Sequence, residues 1–134
     1  MRLRGALRCR ALIVESVMTR LELGKDLVAA SARPVVLSLL HAGESYGYAI
    51  LKRVKELSGG RIEWTDGMLY PVLHRLESEG LIVATWRKAE DTGRRRKYYR
   101  LSAKGKPALA RERQRWQAVD GVLHQLWEND ACPT

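Results

Sequence analysis

The sequence predicts a mainly α fold carrying one small β-hairpin. Three features point there. Apolar residues recur at helical spacing in three consecutive stretches, each stopped by glycine; the spacing then turns strand-like on both sides of a short polar turn; and a final stretch repeats its apolar residues every seven positions. A chain of 134 residues is the length of a single domain.

Residues 1–17 show no amphipathic period, and Met18 offers a second start of translation. This segment reads as an N-terminal extension outside the fold, disordered or arising from an upstream start. Apolar residues return at Leu21. The first helix is marked by Val35, Val36, Leu37, Leu39 and Leu40, the densest apolar cluster in the chain, and stops at His41-Ala42-Gly43. Pro34 within it means a kink or a fresh start capped by Ser31, two alternatives that the sequence leaves open. Ser45 is suited to N-cap a second helix, with Ile50, Val54 and Leu57 on one face and Lys52, Arg53, Lys55 and Glu56 on the other, ended by Ser58-Gly59-Gly60. Thr65 is suited to cap a third, whose core face is Leu69, Val72, Leu73 and Leu76 and which stops at Gly80. Its outward face carries Gly67, Pro71, His74 and Ser78, flanked by Tyr70 and Arg75, and Pro71 lies far enough past the first turn that distortion near Gly67 is expected.

From Leu81 the period changes. Leu81 to Lys88 and Lys97 to Ser102 are β-prone, and the polar Ala89 to Gly93 between them is turn-like, which gives a hairpin with a charged tip. Gly93 suits a turn position that needs positive φ. Ser102 then caps a last helix, running to about Trp127, in which Leu109, Trp116 and Leu123 recur every seven residues and Val119 and Leu126 form an offset series that Glu112 interrupts. Such a stripe suggests packing on a partner helix, most simply its own copy, with Leu109, Trp116, Val119, Leu123 and Leu126 as the dimer interface. The alternative is an ordinary amphipathic helix folded back on the same chain. The organisation expected is therefore an extension (1–17), a core with hairpin (18–101) and a C-terminal dimerisation helix with a short tail (102–134).

The net charge of +9 is unevenly placed. Residues 87–106 hold nine basic side chains against only Glu90 and Asp91, and residues 1–17 hold four arginines against Glu15, whereas residues 18–86 balance. A polyanion partner explains this clustering better than solubility does, for which dispersed charge would serve equally; a solvated basic loop is the bland alternative. Three helices followed by a basic hairpin is the order of a winged helix-turn-helix. The major groove of duplex DNA admits one helix, so the third helix can present Thr65, Gly67, Tyr70, Pro71, His74 and Arg75 to base edges. Arg94, Arg95, Arg96 and Lys97 on the hairpin would meet phosphates, adding affinity and salt dependence but little sequence information.

Three ordered motifs carry a resemblance. Ser45-Tyr46-Gly47-Tyr48 comes first; Gly67-Met68-Leu69-Tyr70-Pro71 follows, with Leu73, Arg75-Leu76-Glu77 and Glu79-Gly80-Leu81 behind it; and Gly93-Arg94-Arg95-Arg96-Lys97-Tyr98-Tyr99-Arg100-Leu101-Ser102 closes the series. From about Lys25 to Trp127 the chain resembles the PadR family of transcriptional regulators. The resemblance implies a winged-helix homodimer that represses promoters at inverted repeats. The single C-terminal helix is most similar to the small, LmrR-like subfamily, in which a tryptophan of the last helix and its dimer mate sandwich flat aromatic drugs. Trp116 and Asp120 match that tryptophan and its neighbouring aspartate, so the resemblance implies a planar aromatic ligand there; Arg113 and Ser38 stand where that pocket carries an aromatic residue and an asparagine.

Other classes find little support. His41, His74 and His124 fall on different helices with no nucleophile elbow or phosphate loop nearby, so no enzyme is expected. Cys9 and Cys132 lie near opposite ends with three histidines in all, so neither a disulfide framework nor a metal or other cofactor is expected. No apolar run approaches the ~20 residues that cross a bilayer, and arginines interrupt the start where a signal peptide needs an unbroken apolar core, so a soluble cytoplasmic protein without a membrane partner is expected. A nucleic-acid or protein-interaction module without ligand sensing is the remaining competitor. Trp86, Tyr98 and Tyr99 flank the basic block, and their alternation suits the packed base of the hairpin better than base stacking.

Overall fold

In the computed structural model, which describes residues 22–130, each of those stretches takes its expected secondary structure and one short strand joins them. The extension 1–17 and both cysteines lie outside the described residues. Helix α1 (Lys25–Ala42) runs unbroken through Pro34 and buries Ala32, Val36, Leu37 and Leu40. The Ser31 hydroxyl donates to the Leu27 carbonyl at 2.7 Å, one turn back, so Ser31 is an interior residue and caps no fresh helix.

The chain then extends as β1 (Ser45–Tyr46) before α2 (Gly47–Leu57). This corrects the expectation for Ser45. Antiparallel pairing with Tyr99 holds it extended one residue ahead of the cap, which falls on Tyr46, and no side chain caps α2. At the other end Gly60 N–H donates to the Lys55 carbonyl (2.7 Å) and Gly59 N–H to that of Glu56 (3.1 Å), closing the helix.

Helix α3 (Asp66–Ser78) begins as expected, with Thr65 Oγ1 accepting from Met68 N–H at 3.3 Å, and it continues without a break through Pro71. It ends where Gly80 N–H reaches the Glu77 carbonyl and Leu81 N–H that of Leu76, both at 2.9 Å, with Leu76 and Leu81 buried together. Strands β2 (Ile82–Lys88) and β3 (Arg95–Leu101) form the hairpin, and the sheet order is β1-β3-β2, all antiparallel. Strand β3 starts at Arg95 rather than Lys97. Arg95, Arg96 and Lys97 are thus strand residues, while the tip holds Glu90, Asp91 and Arg94 around Gly93, whose φ of 71° is the left-handed value expected of it.

Helix α4 (Gly105–Asp130) starts three residues after Ser102, whose Oγ accepts from Gly105 N–H at 3.0 Å and donates to the Gly80 carbonyl at 2.6 Å. Its first turns belong to the core. Ala108, Leu109 and Glu112 are buried, which corrects the expectation that Leu109 lies on a dimer face: it packs inside its own chain because α4 begins against α1. Glu112 is tolerated there because Arg33 of α1 reaches it, Nε to Oε1 at 3.0 Å, while another nitrogen of the same guanidinium holds Glu79 at 2.6 Å. The core is closed by Val36, Leu37, Ile50, Leu69, Leu73, Leu76, Ile82 and Tyr99, drawn from α1, α2, α3 and the sheet. That packing fixes α3 and the hairpin relative to each other.

Candidate nucleic-acid interface

Helix α3 and the hairpin flank a groove of about 530 Å³. Its walls include Tyr70 and His74 from α3, Tyr48 from the first turn of α2, and Trp86, Arg95 and Lys97 from the hairpin. The strand register explains the hairpin's contribution. Paired residues point to the same face, so Trp86 with Lys97 and Lys88 with Arg95 continue outward the face that Ile82 and Tyr99 bury at its inner end. Gly47 sets the other wall: a Cβ there would lie 2.6 Å from the Tyr70 hydroxyl oxygen, so the phenol rests on bare backbone.

The groove brings together Tyr70, His74, Arg95 and Lys97 among the residues expected to meet DNA; Arg96 borders it too, but strand alternation sends its side chain to the other face of the wing. Thr65 and Gly67 sit exposed at the N-terminal turn of α3, and Arg94 is exposed on the tip. Pro71 and Arg75 lie elsewhere, lining a hollow of about 290 Å³ between α3 and α1 with Ala30 and Arg33. Trp86 and Tyr48 were not expected here. Trp86 is 56% exposed and Tyr48 69%, so Trp86 does not pack into the hairpin base as its alternation suggested, whereas Tyr99 does. The register was the missing signal, since it places Trp86 toward the open end of the face.

Charge in the wing is divided. Lys97 pairs with Glu77 of α3 at 3.5 Å, Arg96 with Asp91 at 3.3 Å, and Arg87 with Glu44. Loss of hydration alone would raise the Asp91 carboxyl, but the charge and hydrogen bond of Arg96 outweigh it and hold that carboxyl below its usual range. Lys88, Arg94 and Arg95 make no ion pair among the described residues, and the Arg95 guanidinium sits 5.8 Å from the Trp86 ring.

A second, more apolar groove of about 480 Å³ lies between α1 and α4, lined by Pro34, Val35, Ser38, Leu39, Arg113 and Trp116 among others. Trp116 and Ser38 therefore line the same groove. Asp120 does not join them; it pairs with His124 one turn on, at 3.4 Å.

A packed three-helix core with a cationic hairpin beside its third helix defines a winged helix-turn-helix DNA-binding protein. Residues 36–111 match the model of the PadR-like family of transcriptional regulators, and the chain belongs to that family. It is a DNA-binding transcriptional regulator and not an enzyme. Its fold is similar to that of a transcriptional regulator from Clostridium thermocellum, with TM-score 0.68 and 28% identity over 78% of this chain and 97% of that one. A PadR family transcription regulator from Clostridium difficile gives TM-score 0.61 and 34% identity over 71% and 96%. In sequence, a transcriptional regulator of Mycobacterium tuberculosis is 42% identical over 59 residues, 44% of this chain and 53% of that one. Among the described residues no helix is long and apolar enough to cross a membrane.

Proposed function

We propose that the chain is a repressor that binds an inverted-repeat operator as a homodimer. Helix α3 enters the major groove with Tyr70 and His74 toward base edges, and the wing follows the backbone with Lys88, Arg94 and Arg95. The observation carrying the dimer is the far half of α4. Past Trp116 the helix continues for about 21 Å, at 1.5 Å per residue, and none of residues 117–129 is buried. Val119, Val122, Leu126 and Trp127 are each 55–59% exposed, and Leu123 lies between them. An apolar stripe of that extent on a small protein needs a cover, and a second α4 related by two-fold symmetry supplies the same stripe in return.

The groove at Trp116 supports release by a planar aromatic compound lodged between Trp116 and its dimer mate. Apolar walls suit such a ligand, and with Asp120 turned to His124 the slot favours a neutral over a cationic one. Sedimentation tests the dimer directly. The wild-type chain should run as a dimer at micromolar concentration and Leu123→Asp as a folded monomer that no longer protects DNA; a folded wild-type monomer would remove the proposal.

A further inference from the structure

On the wing face opposite Trp86, two arginines and two tyrosines form a continuous ladder. Arg87 and Arg96 are direct cross-strand partners, a like-charged pairing that would repel if both guanidinium groups stood free. Neither does. The Arg87 guanidinium lies 3.9 Å from the centre of the Tyr98 ring and that of Arg96 3.9 Å from the centre of the Tyr46 ring. Tyr46 and Tyr98, themselves partners across β1 and β3, meet edge to face with centroids 5.6 Å apart. Each end is closed by a carboxylate: Glu44 on Arg87, in the connection from α1, and Asp91 on Arg96, at the tip.

We propose that Arg87 and Arg96 are positioning residues that fix the wing's angle against the body, and that phosphate contact in the wing falls to Lys88, Arg94 and Arg95. The proposal rests on the DNA-binding reading and divides the labour within it. Strand β1 has only two residues, a short tether for a hairpin of two seven-residue strands, and the ladder adds a second. Tyr46 also immediately precedes Gly47, on which Tyr70 of α3 rests, so the ladder connects the wing to the recognition helix through one residue of backbone. To reach a phosphate, Arg96 would have to leave both an aromatic face and a carboxylate, and its side chain is only 23% exposed. Lys88, Arg94 and Arg95 make no ion pair among the described residues, and of these only Arg95 lies near a ring, 5.8 Å from that of Trp86.

The test uses the full chain, duplex DNA of random sequence over a range of salt, and amide hydrogen exchange. Tyr46→Leu removes a ring without touching a charge, and Tyr46→Phe restores the ring. With Tyr46→Leu and with Arg96→Gln, wing amides from Trp86 to Lys97 should exchange about two- to fivefold faster, the factor that one exposed cation–π contact supports. DNA binding should weaken with the slope of log affinity against log salt unchanged, and Tyr46→Phe should behave as wild type. Arg94→Gln, on the exposed tip, should leave exchange alone and flatten that slope by roughly 0.9, one phosphate's worth. Arg96→Gln flattening the slope as Arg94→Gln does, with wing exchange unaltered, would overturn the proposal. A wild-type chain that binds no duplex DNA would defeat the DNA-binding reading instead, while the exchange results still decide whether the ladder holds the wing.

Discussion

Gly47→Ala is the substitution in which fold and function should separate most cleanly. The new Cβ would stand 2.6 Å from the Tyr70 hydroxyl oxygen, 3.0 Å from Cζ and 3.4 Å from Cε1. Comfortable carbon contacts begin near 3.5 Å, so the phenol must retreat by about 1 Å. It has room, since Tyr70 is 40% exposed and the clash is with the far end of a movable side chain rather than with backbone. Two effects on stability then oppose each other. Overpacking costs roughly 1–3 kcal/mol where nothing can yield and less here, while replacing glycine in the first turn of α2 returns about 0.5–1 kcal/mol. Net destabilisation should stay within about 1 kcal/mol in chemical denaturation. Recognition has no such offset. Moving the phenol out of the groove should lower the preference for selected over random duplex by about 1–3 kcal/mol, the worth of one base contact, measured by competition on DNA that the wild-type chain has itself enriched from a random pool. In a Tyr70→Ala background the same change should have no further effect, because the two residues act through one contact. Full operator preference in Gly47→Ala, or a stability loss above about 3 kcal/mol, would refute the reasoning.

Removing Arg33 should expose the balance at Glu112. Arg33→Met leaves that carboxylate, in a side chain only 10% exposed, with Arg115 at 3.8 Å as its remaining partner, and should cost about 2 kcal/mol in denaturation; Arg33→Met with Glu112→Leu should recover part of it. Tyr99 should make the fold sensitive to alkali. Burial raises its phenol despite the opposing Lys97, so the unfolded chain loses that proton first and stability falls as pH rises through about 10, more steeply than in Tyr99→Phe, as pH-dependent melting would register. A neutral planar dye should quench tryptophan fluorescence through Trp116, and Trp116→Ala should abolish the change; equal quenching in that variant would place the dye elsewhere.

Local chemistry was legible and long-range pairing was not. The Thr65 cap, the Gly80 stop and the Leu69–Leu73–Leu76 face follow from neighbours within a turn or two, and the structure has all three. Ser45 has the side chain of a cap, yet its backbone is claimed by Tyr99, more than fifty residues away, and a strand of two residues leaves no periodic trace. Glu112 interrupts an apolar series for a reason that sits on α1, and Leu109 joins the stripe by spacing although its contacts are within the chain. At the interface, helical geometry alone put Tyr70 and His74 on the outward side of α3. The wing divided otherwise. A run of four basic residues looks uniform in sequence, but alternation sends Arg95 and Lys97 to one face and Arg96 to the other, onto Tyr46.

The most direct test of a dimeric repressor is a footprint of the full-length chain on the DNA upstream of its own gene, with structured RNA of equal length as competitor. The expected result is protection of an inverted repeat whose half-sites lie about one helical turn, roughly 34 Å, or a small multiple of it apart, lost in Leu123→Asp and undisturbed by the RNA. Protection of a single unrepeated site, or displacement by RNA as readily as by the same duplex unlabelled, would contradict it.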